Sequence, residues 1–279
     1  MTKEIETEKI IKPVATSDGA GVKLKRSIGV EPNYFDPFLM LDEFGSEKKD
    51  DYIAGFPPHP HRGIETVTYM LAGDFEHKDS TGGEGRMTAG DVQWMKTGSG
   101  IIHSEMPAMK DGKLHGFQLW INMPAKLKMS KPEYLYIDAK KMRIHKDDEK
   151  TVKVIAGNFG NVEGPIKGHN VEPIYFDIEL NKNKEFIINL PSTHNSFVYL
   201  MEGEIKIGSK PHENVKDSNL ILLTKGEKLK VKALTKVKFL LISGKPIGEP
   251  IARGGPFVMN TKAEILEAMN DYQNGTFVK

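Results

Sequence analysis

The amino-acid sequence predicts an all-β protein of two β-barrels, with a short helix near the C-terminus. Three observations support this fold class. Short runs of alternating apolar residues, bounded by glycine, proline, asparagine or aspartate, fill most of the 279 residues. The same order of strands and turns occurs twice along the chain. Helix signals are few, and the clearest of them lies close to the C-terminus.

The alternating runs are the elements that build the predicted barrels, because a strand with one buried face alternates apolar and polar residues. The clearest runs are GIETVTYMLAG, GDVQWMKTG, LHGFQLWINMP, EPIYFDIEL, HNSFVYLMEGEIKIG, NLILLTKGEKLKVKA and VKFLLISGKP. The helix is predicted in NTKAEILEAMNDYQNG, where Thr261 and Glu264 form a capping box. Ile265, Met269 and Tyr272 then share one helical face.

An internal repeat divides the chain into two halves. VTYMLAGD at 67–74 resembles FVYLMEGE at 197–204, and TAGDVQW at 88–94 resembles TKGEKLK at 224–230. Between the copies, PAKLKMSKPE replaces the strand pattern with prolines and lysines, so we place the boundary near residue 133. Residues 1–133 then form one barrel and residues 134–279 the other. The C-terminal GEPIARGGPFVMN and the helix are expected to pack back on the N-terminal barrel.

Composition excludes several classes of function. The chain has 39 basic and 38 acidic residues, and it shows no basic stripe or helix-turn-helix, so direct nucleic-acid binding is not expected. No segment approaches the roughly 20 apolar residues of a membrane span, and the N-terminus lacks a secretory signal. We therefore expect a cytoplasmic protein that does not contact membranes. The absence of cysteine excludes thiolate metal sites and cysteine nucleophiles.

The stretch GFPPHPHRGIE places His59 and His61 two residues apart in a proline-rich setting. Residues at i and i+2 of an extended strand point to the same face, and Pro60 favours an extended backbone at His59. A second pair, His103 and Glu105, occurs in GSGIIHSEMP with the same spacing. If these segments are neighbouring strands, three imidazoles and one carboxylate converge. This donor set suits Fe(II), Mn, Ni, Cu or Zn, and four ligands leave two positions open on an octahedral ion.

The remaining candidate ligands are weaker. Glu65 lies on the same strand face as His61, but we assign it a structural or supporting role. His115 is interpreted as a core or supporting histidine because it lies inside a strand. The other histidines are interpreted as surface residues: His77, His145, His169, His194 and His212.

The repeat provides an internal comparison for the site. Aligned on the first pair of repeat segments, His59 and His61 fall opposite Asn189 and Pro191. Aligned on the second pair, His103 and Glu105 fall opposite Phe239 and Leu241. The second barrel is therefore predicted to lack a metal.

At these residues the chain resembles a known family. The HxH segment with a glutamate four residues later, and the second segment ending at His103, resemble the paired motifs of the cupin superfamily. More narrowly, residues 56–107, FDPFLMLDEF and EPIARGGPFVMNTKAEILEAMNDYQNG resemble the pirin family. The resemblance implies two jelly-roll cupin barrels and one mononuclear Fe(II) site in the N-terminal barrel. It carries the ligand roles to His59, His61, His103 and Glu105.

Three functions follow as expectations. Family members include bacterial proteins with quercetin 2,3-dioxygenase activity, which implies a flavonol and dioxygen as substrates and Glu105 as the catalytic base. Others include an iron-dependent nuclear coregulator, which implies a redox-sensing protein whose partner is another protein. The third expectation is a metal-binding bicupin with a different small-molecule substrate, because a fold and a metal site do not determine the substrate.

Overall fold

The structure is a computed structural model that describes residues 2–29, 34–209 and 214–278. The chain forms two compact units. The N-terminal unit contains residues 14–32, 38–140 and 247–279, and the C-terminal unit contains residues 1–13, 33–37 and 141–246.

The first strands are β1 (Glu4–Ile5), β2 (Thr7–Ile11), β3 (Val14–Asp18), β4 (Val22–Ile28), β5 (Phe38–Ser46), β6 (Phe56–His61), β7 (Ile64–Ala72), β8 (Phe75–Asp79) and β9 (Glu84–Met87). They are followed by β10 (Val92–Lys96), β11 (Ile101–Pro107), β12 (Leu114–Asn122), β13 (Glu133–Ile137), β14 (Arg143–Lys146), β15 (Lys150–Ala156), β16 (Asn158–Phe159), β17 (Val162–Glu163) and β18 (Ile174–Leu180). The last are β19 (Glu185–Asn189), β20 (Asn195–Glu202), β21 (Glu204–Ile207), β22 (Val215–Lys216), β23 (Asn219–Leu223), β24 (Lys228–Ala233), β25 (Val237–Gly244), β26 (Ala252–Gly254) and β27 (Phe257–Met259). The α-helix α1 spans Lys262–Gln273, and short 3₁₀ turns occur at Lys49–Asp51, Ala125–Leu127 and Ala139–Lys141.

The N-terminal unit packs a large sheet against a small one. The large sheet has the order β13-β10-β7-β12-β5-β4-β3, and the small sheet has the order β6-β11-β8-β9. Phe44 and Met70 of the large sheet join Phe75 and Met87 of the small sheet in one buried apolar cluster. Because β6 and β11 are neighbours in the small sheet, the two histidine segments lie side by side, as the site prediction requires.

The C-terminal unit has the same architecture. Its large sheet has the order β14-β15-β18-β25-β20-β23-β2, and its second sheet contains β1, β24, β21 and β22, with β19 also paired to β24. Phe176 and Phe239 of the large sheet and Phe186 and Leu229 of the second sheet contribute to one apolar core. The predicted all-β fold of two cupin-type barrels with a C-terminal helix is therefore confirmed.

The compact units differ from the predicted ranges of 1–133 and 134–279. β13 begins at residue 133 but pairs with β10, so the N-terminal unit continues to residue 140. Residues 1–13 belong to the C-terminal unit because β1 pairs with β24 and β2 pairs with β23. These first strands are short and highly charged, so their sequence does not indicate which sheet they join.

The strand pairing corrects one part of the repeat alignment. β11 pairs with β6 in one unit, and the strand that pairs with β19 in the other is β24. Phe239 and Leu241 lie on β25, which belongs to the large sheet and is therefore not the counterpart of the strand bearing His103. The alignment matched Gly90 with Gly226. Gly90 precedes β10, whereas Gly226 follows β23 and precedes β24, so the alignment shifted the later strands by one.

The C-terminal helix begins as predicted. The Thr261 side chain accepts a hydrogen bond from the Glu264 amide, and the Glu264 carboxylate accepts one from the Thr261 amide. Of the three residues predicted to share one helical face, Ile265 is buried, whereas Met269 and Tyr272 are 36% and 42% exposed. In the described part of the chain, no helix has the length and apolar composition that crossing a bilayer would need.

The C-terminal segment binds directly to the residues that follow His61. The amide of Val258 on β27 donates to the carbonyl of Arg62 at 3.1 Å. The buried ammonium of Lys128 donates to the carbonyls of Gly63 and Val258, both at 2.8 Å, and to Oδ1 of Asn122 at 2.7 Å. Burial lowers the pKa of Lys128 to about 8. Three oxygen acceptors compensate the desolvation of this cation.

The side chain of Arg62 connects the same region to α1. Its Nη2 forms an ion pair with Asp271 at 2.8 Å, and its guanidinium lies 4.5 Å from the ring centre of Phe277. Its Nε donates to the carbonyl of Ser99 at 2.6 Å. Because Arg62 is 1% exposed, these contacts are protected from water and hold the helix next to the histidine strand.

Gly63 is required by this close packing, which gives a testable prediction. Gly63 has φ +79°, and a Cβ there would lie 2.1 Å from the carbonyl oxygen of Val258. Gly82 has a similar φ of +87° but open space around it. We expect Gly82→Ala to cost about 1 kcal/mol from backbone strain alone. Gly63→Ala should cost at least about 2 kcal/mol more because the C-terminal segment must also move.

Urea unfolding of both variants measures this difference. Equal unfolding midpoints for Gly63→Ala and Gly82→Ala would show that the close approach of Val258 contributes nothing to stability.

Candidate metal centre

The antiparallel pairing of β6 and β11 brings the predicted histidines together. His103 lies directly opposite His59, and His61 lies opposite Ile101. One donor atom from each of His59, His61 and His103 lies within 4.8 Å of the others. The ring centres are 4.3 Å apart for His59 and His103, 4.8 Å for His59 and His61, and 5.1 Å for His61 and His103.

Backbone carbonyls orient two of the three rings. The Nδ1 of His59 lies 2.8 Å from the carbonyl oxygen of Pro57, and the Nδ1 of His61 lies 3.3 Å from that of Pro256. A carbonyl only accepts hydrogen bonds, so each Nδ1 carries a proton and Nε2 is the nitrogen left to face a metal. This arrangement is typical of metal-binding histidines, whose second nitrogen donates to a carbonyl or carboxylate.

The ring of His103 is 1% exposed, and neither of its buried nitrogens has a hydrogen-bond partner. Burying an unpaired polar nitrogen is costly, and native structures contain few such groups. A metal ion bound through one nitrogen would compensate much of this cost. The donor set therefore fits a divalent metal.

Burial keeps the imidazoles of His61 and His103 neutral. It lowers the pKa of His61 to about 3, with a further contribution from His59, while the carbonyl of Pro256 opposes the shift. Burial also lowers the pKa of His103 well below its usual value, and the neighbouring histidines add to the effect. Neutral imidazole is the form that coordinates a metal, so these two ligands need not lose a proton first at pH 7.

The structure places Glu105 beside His103, but in a second donor group. The register of β11 against β6 shifts between His103 and Glu105. Donor atoms of His77, His103 and Glu105 lie within 4.8 Å of one another. His103 therefore belongs to both groups, and the predicted convergence of four ligands is found as two groups of three that share one residue.

Polar side chains hold the Glu105 carboxylate in place. Its Oε1 lies 2.9 Å from the hydroxyl of Thr68 and accepts a hydrogen bond from the amide of Gln93. The hydroxyl of Thr68 also lies 2.6 Å from Oε1 of Gln118, and it has one proton for the two acceptors. Oε1 is thus engaged by neighbouring donors, which leaves Oε2 as the oxygen available for chemistry.

His77 is a buried member of this region that the sequence interpretation placed wrongly on the surface. Its side chain is 0% exposed, its Nε2 lies 2.9 Å from Oδ2 of Asp79, and its ring stacks on Tyr134 at 4.4 Å. Burial opposes ionisation of Asp79, but hydrogen bonds from Thr81, His77 and Gly83 lower its pKa. A sequence signal existed, since alternation along FEHKD puts His77 on the same face as the core residue Phe75.

The other candidates lie outside the two donor groups. Glu65 accepts a hydrogen bond at 2.6 Å from the indole of Trp94, and half-buried His115 pairs with Glu43 at 3.0 Å. His194 is 4% exposed, so its assignment to the surface was wrong. His145 and His169 are partly exposed, and His212 lies outside the described residues. In the parts of the chain that the structure describes, no donor group of this kind occurs in the C-terminal unit.

A cavity of about 790 Å³ opens next to the histidines. His59, His61 and Glu105 contribute to its wall, together with the aromatic side chains of Phe56 and Trp120. The Trp120 ring meets the His61 ring edge-on, with 5.0 Å between their centres. His59, His61 and Glu105 therefore face a space large enough for a small aromatic molecule.

This fold and site define a bicupin with one barrel equipped to bind a metal. Comparisons with known proteins identify the family. The pirin family model matches residues 21–121, and the model of the pirin C-terminal cupin domain matches residues 175–278. The chain belongs to the pirin family.

Individual relatives span almost the whole chain. A pirin-like protein of Caulobacter vibrioides is 44% identical over 272 residues, which are 96% of this chain and 98% of the relative. Human pirin is 36% identical over 263 residues, which are 92% of this chain and 89% of the relative. The crystal structure of quercetin 2,3-dioxygenase from Acinetobacter baumannii is 31% identical, with a TM-score of 0.90, and the match covers 99% of this chain and 100% of that one.

The buried histidines predict a dependence of stability on pH. Metal-free protein should lose stability as the pH falls below about 6.5, because His61 is protonated in the unfolded chain but stays neutral in the folded one until about pH 3. The expected loss from His61 alone is about 2 kcal/mol between pH 6.5 and pH 5. Unfolding by urea in the presence of a chelator measures it.

The matched variants are His61→Gln and His145→Gln. His61→Gln should flatten the dependence of the unfolding free energy on pH, whereas His145→Gln, which replaces a partly exposed histidine of the C-terminal unit, should retain the slope. A slope that His61→Gln leaves unchanged would contradict the assignment of a buried, neutral His61.

Proposed function

We propose that this protein is a flavonol 2,3-dioxygenase of the quercetinase type, with one Fe(II) bound by His59, His61, His103 and Glu105. The observation that carries the proposal is the clustering of His59, His61 and His103, with His59, His61 and Glu105 at the wall of an aromatic-lined cavity. The similarity over nearly the whole chain to a solved protein named quercetin 2,3-dioxygenase supports it. Mn, Ni, Cu and Zn are also compatible with this donor set.

The bound metal would supply Lewis acidity and a template for the substrate oxygens. The residues of the chain supply the rest. Trp120 and Phe56 offer apolar ring surfaces to a planar substrate. In the reaction, two oxygen atoms from dioxygen enter the product, and one ring carbon leaves with its oxygen as carbon monoxide. The other product is an ester of two aromatic acid fragments, a depside.

Glu105 is the proposed general base. The 3-hydroxyl of a flavonol must lose its proton before the ring becomes electron-rich enough to react with dioxygen. Because Gln93 and Thr68 engage Oε1 of Glu105, Oε2 is the atom proposed to accept this proton. Glu105 is 4% exposed and lines the cavity, so a substrate bound there would displace water from this position.

Oxygen uptake with quercetin tests the activity. Protein loaded with one Fe(II) per chain should consume oxygen over many turnovers and release carbon monoxide. His103→Ala should abolish both signals because it removes the histidine shared by the two donor groups. His145→Ala should keep full activity.

An iron-loaded protein that consumes no oxygen with quercetin would refute the flavonol reaction while leaving the metal site intact. The regulatory function or another substrate would then be favoured. Iron content measured on each sample separates these outcomes from simple loss of metal.

Replacement of the proposed base gives a sharper test. Glu105→Gln should lower turnover on the order of 100-fold or more, because the amide cannot accept the proton. Some iron should remain, since the three histidines are unchanged. Glu76→Gln, at an exposed position on β8, should behave as the wild type. Unchanged turnover in Glu105→Gln would refute the role of this carboxylate as base.

A further inference from the structure

Two arginines contribute to the wall of the cavity, and they differ in their partners. Arg26 is neutralised. Its Nε and Nη2 donate to the two carboxylate oxygens of Asp42 at 2.8 and 2.6 Å, and Nη2 also donates to Asp18 at 2.7 Å. A guanidinium paired with two carboxylates has little capacity to bind an anionic ligand.

In the described part of the chain, Arg253 has no such counter-charge. Its Nη1 and Nη2 both donate to a single backbone carbonyl, that of Leu39, at 3.2 and 3.1 Å. Among the described residues, no carboxylate forms an ion pair with it. Burial lowers the pKa of Arg253, but a guanidinium keeps its charge under all ordinary conditions. The cavity therefore holds one cation that is neutralised and one that is not.

Arg253 also lies on the same short hairpin as Pro256, whose carbonyl contacts His61. It is the middle residue of β26, and it pairs with Val258 on β27. At the tip of this hairpin, Gly255 and Pro256 form part of the cavity wall, and the carbonyl of Pro256 holds His61. The hairpin thus contributes both the guanidinium of Arg253 and the carbonyl that contacts His61 to the wall of one cavity.

Apart from Gln118 and the Asp18 and Asp42 carboxylates that neutralise Arg26, the remaining wall is apolar and aromatic. Leu24, Met40, Phe44, Phe56 and Trp120 all contribute to it. Met40 and Trp120 are opposite each other in the pairing of β5 and β12, and Leu39, the partner of Arg253, precedes Met40. A ligand that fills this space must therefore combine a flat apolar body with a group that satisfies a half-desolvated guanidinium.

We propose that Arg253 selects for an acidic ligand: a planar aromatic compound with a carboxylate or an ionised phenol bound to Arg253, in addition to the oxygens that reach the histidines. This inference rests on the proposed function for one point, the binding of a metal and of substrate oxygens at the histidines. It adds a substrate class, namely aromatic acids, that a neutral flavonol does not represent. A planar carboxylate matches the paired N–H groups of a guanidinium.

Binding of matched ligands tests the inference without turnover. The probes are 3-hydroxyflavone carrying a carboxylic acid, and the corresponding carboxamide, substituted at the 4′ or the 7 position. They are titrated under anaerobic conditions into Fe(II)-loaded protein, with Trp120 in the cavity wall as a fluorescent reporter. In at least one pair, the acid should bind about ten-fold or more tightly than the amide.

Variants at Arg253 identify the residue responsible. Arg253→Gln should bring the acid to the affinity of the amide, with the amide unaffected. Arg253→Lys should retain part of the preference, because it keeps the charge without the planar pair of donors. Arg143→Gln, an exposed arginine in the C-terminal unit, should retain the full preference. Iron content and thermal melting of each variant confirm that it is folded.

The outcomes distinguish this inference from the proposed function. Equal affinity for acid and amide in every wild-type pair, or a preference that Arg253→Gln leaves intact, would overturn the inference even if quercetin is turned over. Preference for the acid through Arg253 without oxygen uptake on quercetin would support the inference and refute the flavonol reaction.

Discussion

The site depends on one constraint, the antiparallel pairing of β6 with β11. This pairing sets His59 opposite His103, and burial removes His61 and His103 from water. Desolvation makes the charged imidazoles unfavourable and leaves neutral donors with lone pairs that face one another. A shift of one residue in the register would turn the histidines to the opposite face of the sheet.

The C-terminal segment stabilises that pairing from the side. Lys128 and Arg62 are cations with almost no solvent exposure, and both use their donors on groups that join the segment to the end of β6. The same segment supplies the carbonyl of Pro256 that orients His61 and the guanidinium of Arg253 in the cavity wall. One stretch of chain therefore supports the candidate ligands and shapes the space in front of them.

The two units have the same architecture but carry different side chains on the corresponding strands. The strand that corresponds to β11 in the C-terminal unit is β24, and its partner β19 carries no histidine. Phe186, Leu229 and Val231 on these strands belong to a continuous apolar core. Where the N-terminal unit has polar donors on the paired strands, the described strands of the other unit have packed apolar side chains, which stabilise the barrel.

The sequence by itself determined the fold class, the capped helix and the two pairs of candidate ligands, because alternation, capping and i, i+2 spacing are local properties of the chain. Bringing His103 next to His59 required the pairing of β6 with β11. Only the tertiary structure decided which sheet β1 and β2 join, and that β24 rather than β25 matches β11. Both depend on pairing between distant segments. It also decided that His77 is buried against Tyr134, that Glu105 groups with His103 and His77, and that no carboxylate of the described residues pairs with Arg253. Burial and ion pairing arise from contacts between residues far apart in sequence, so spacing along the chain does not specify them.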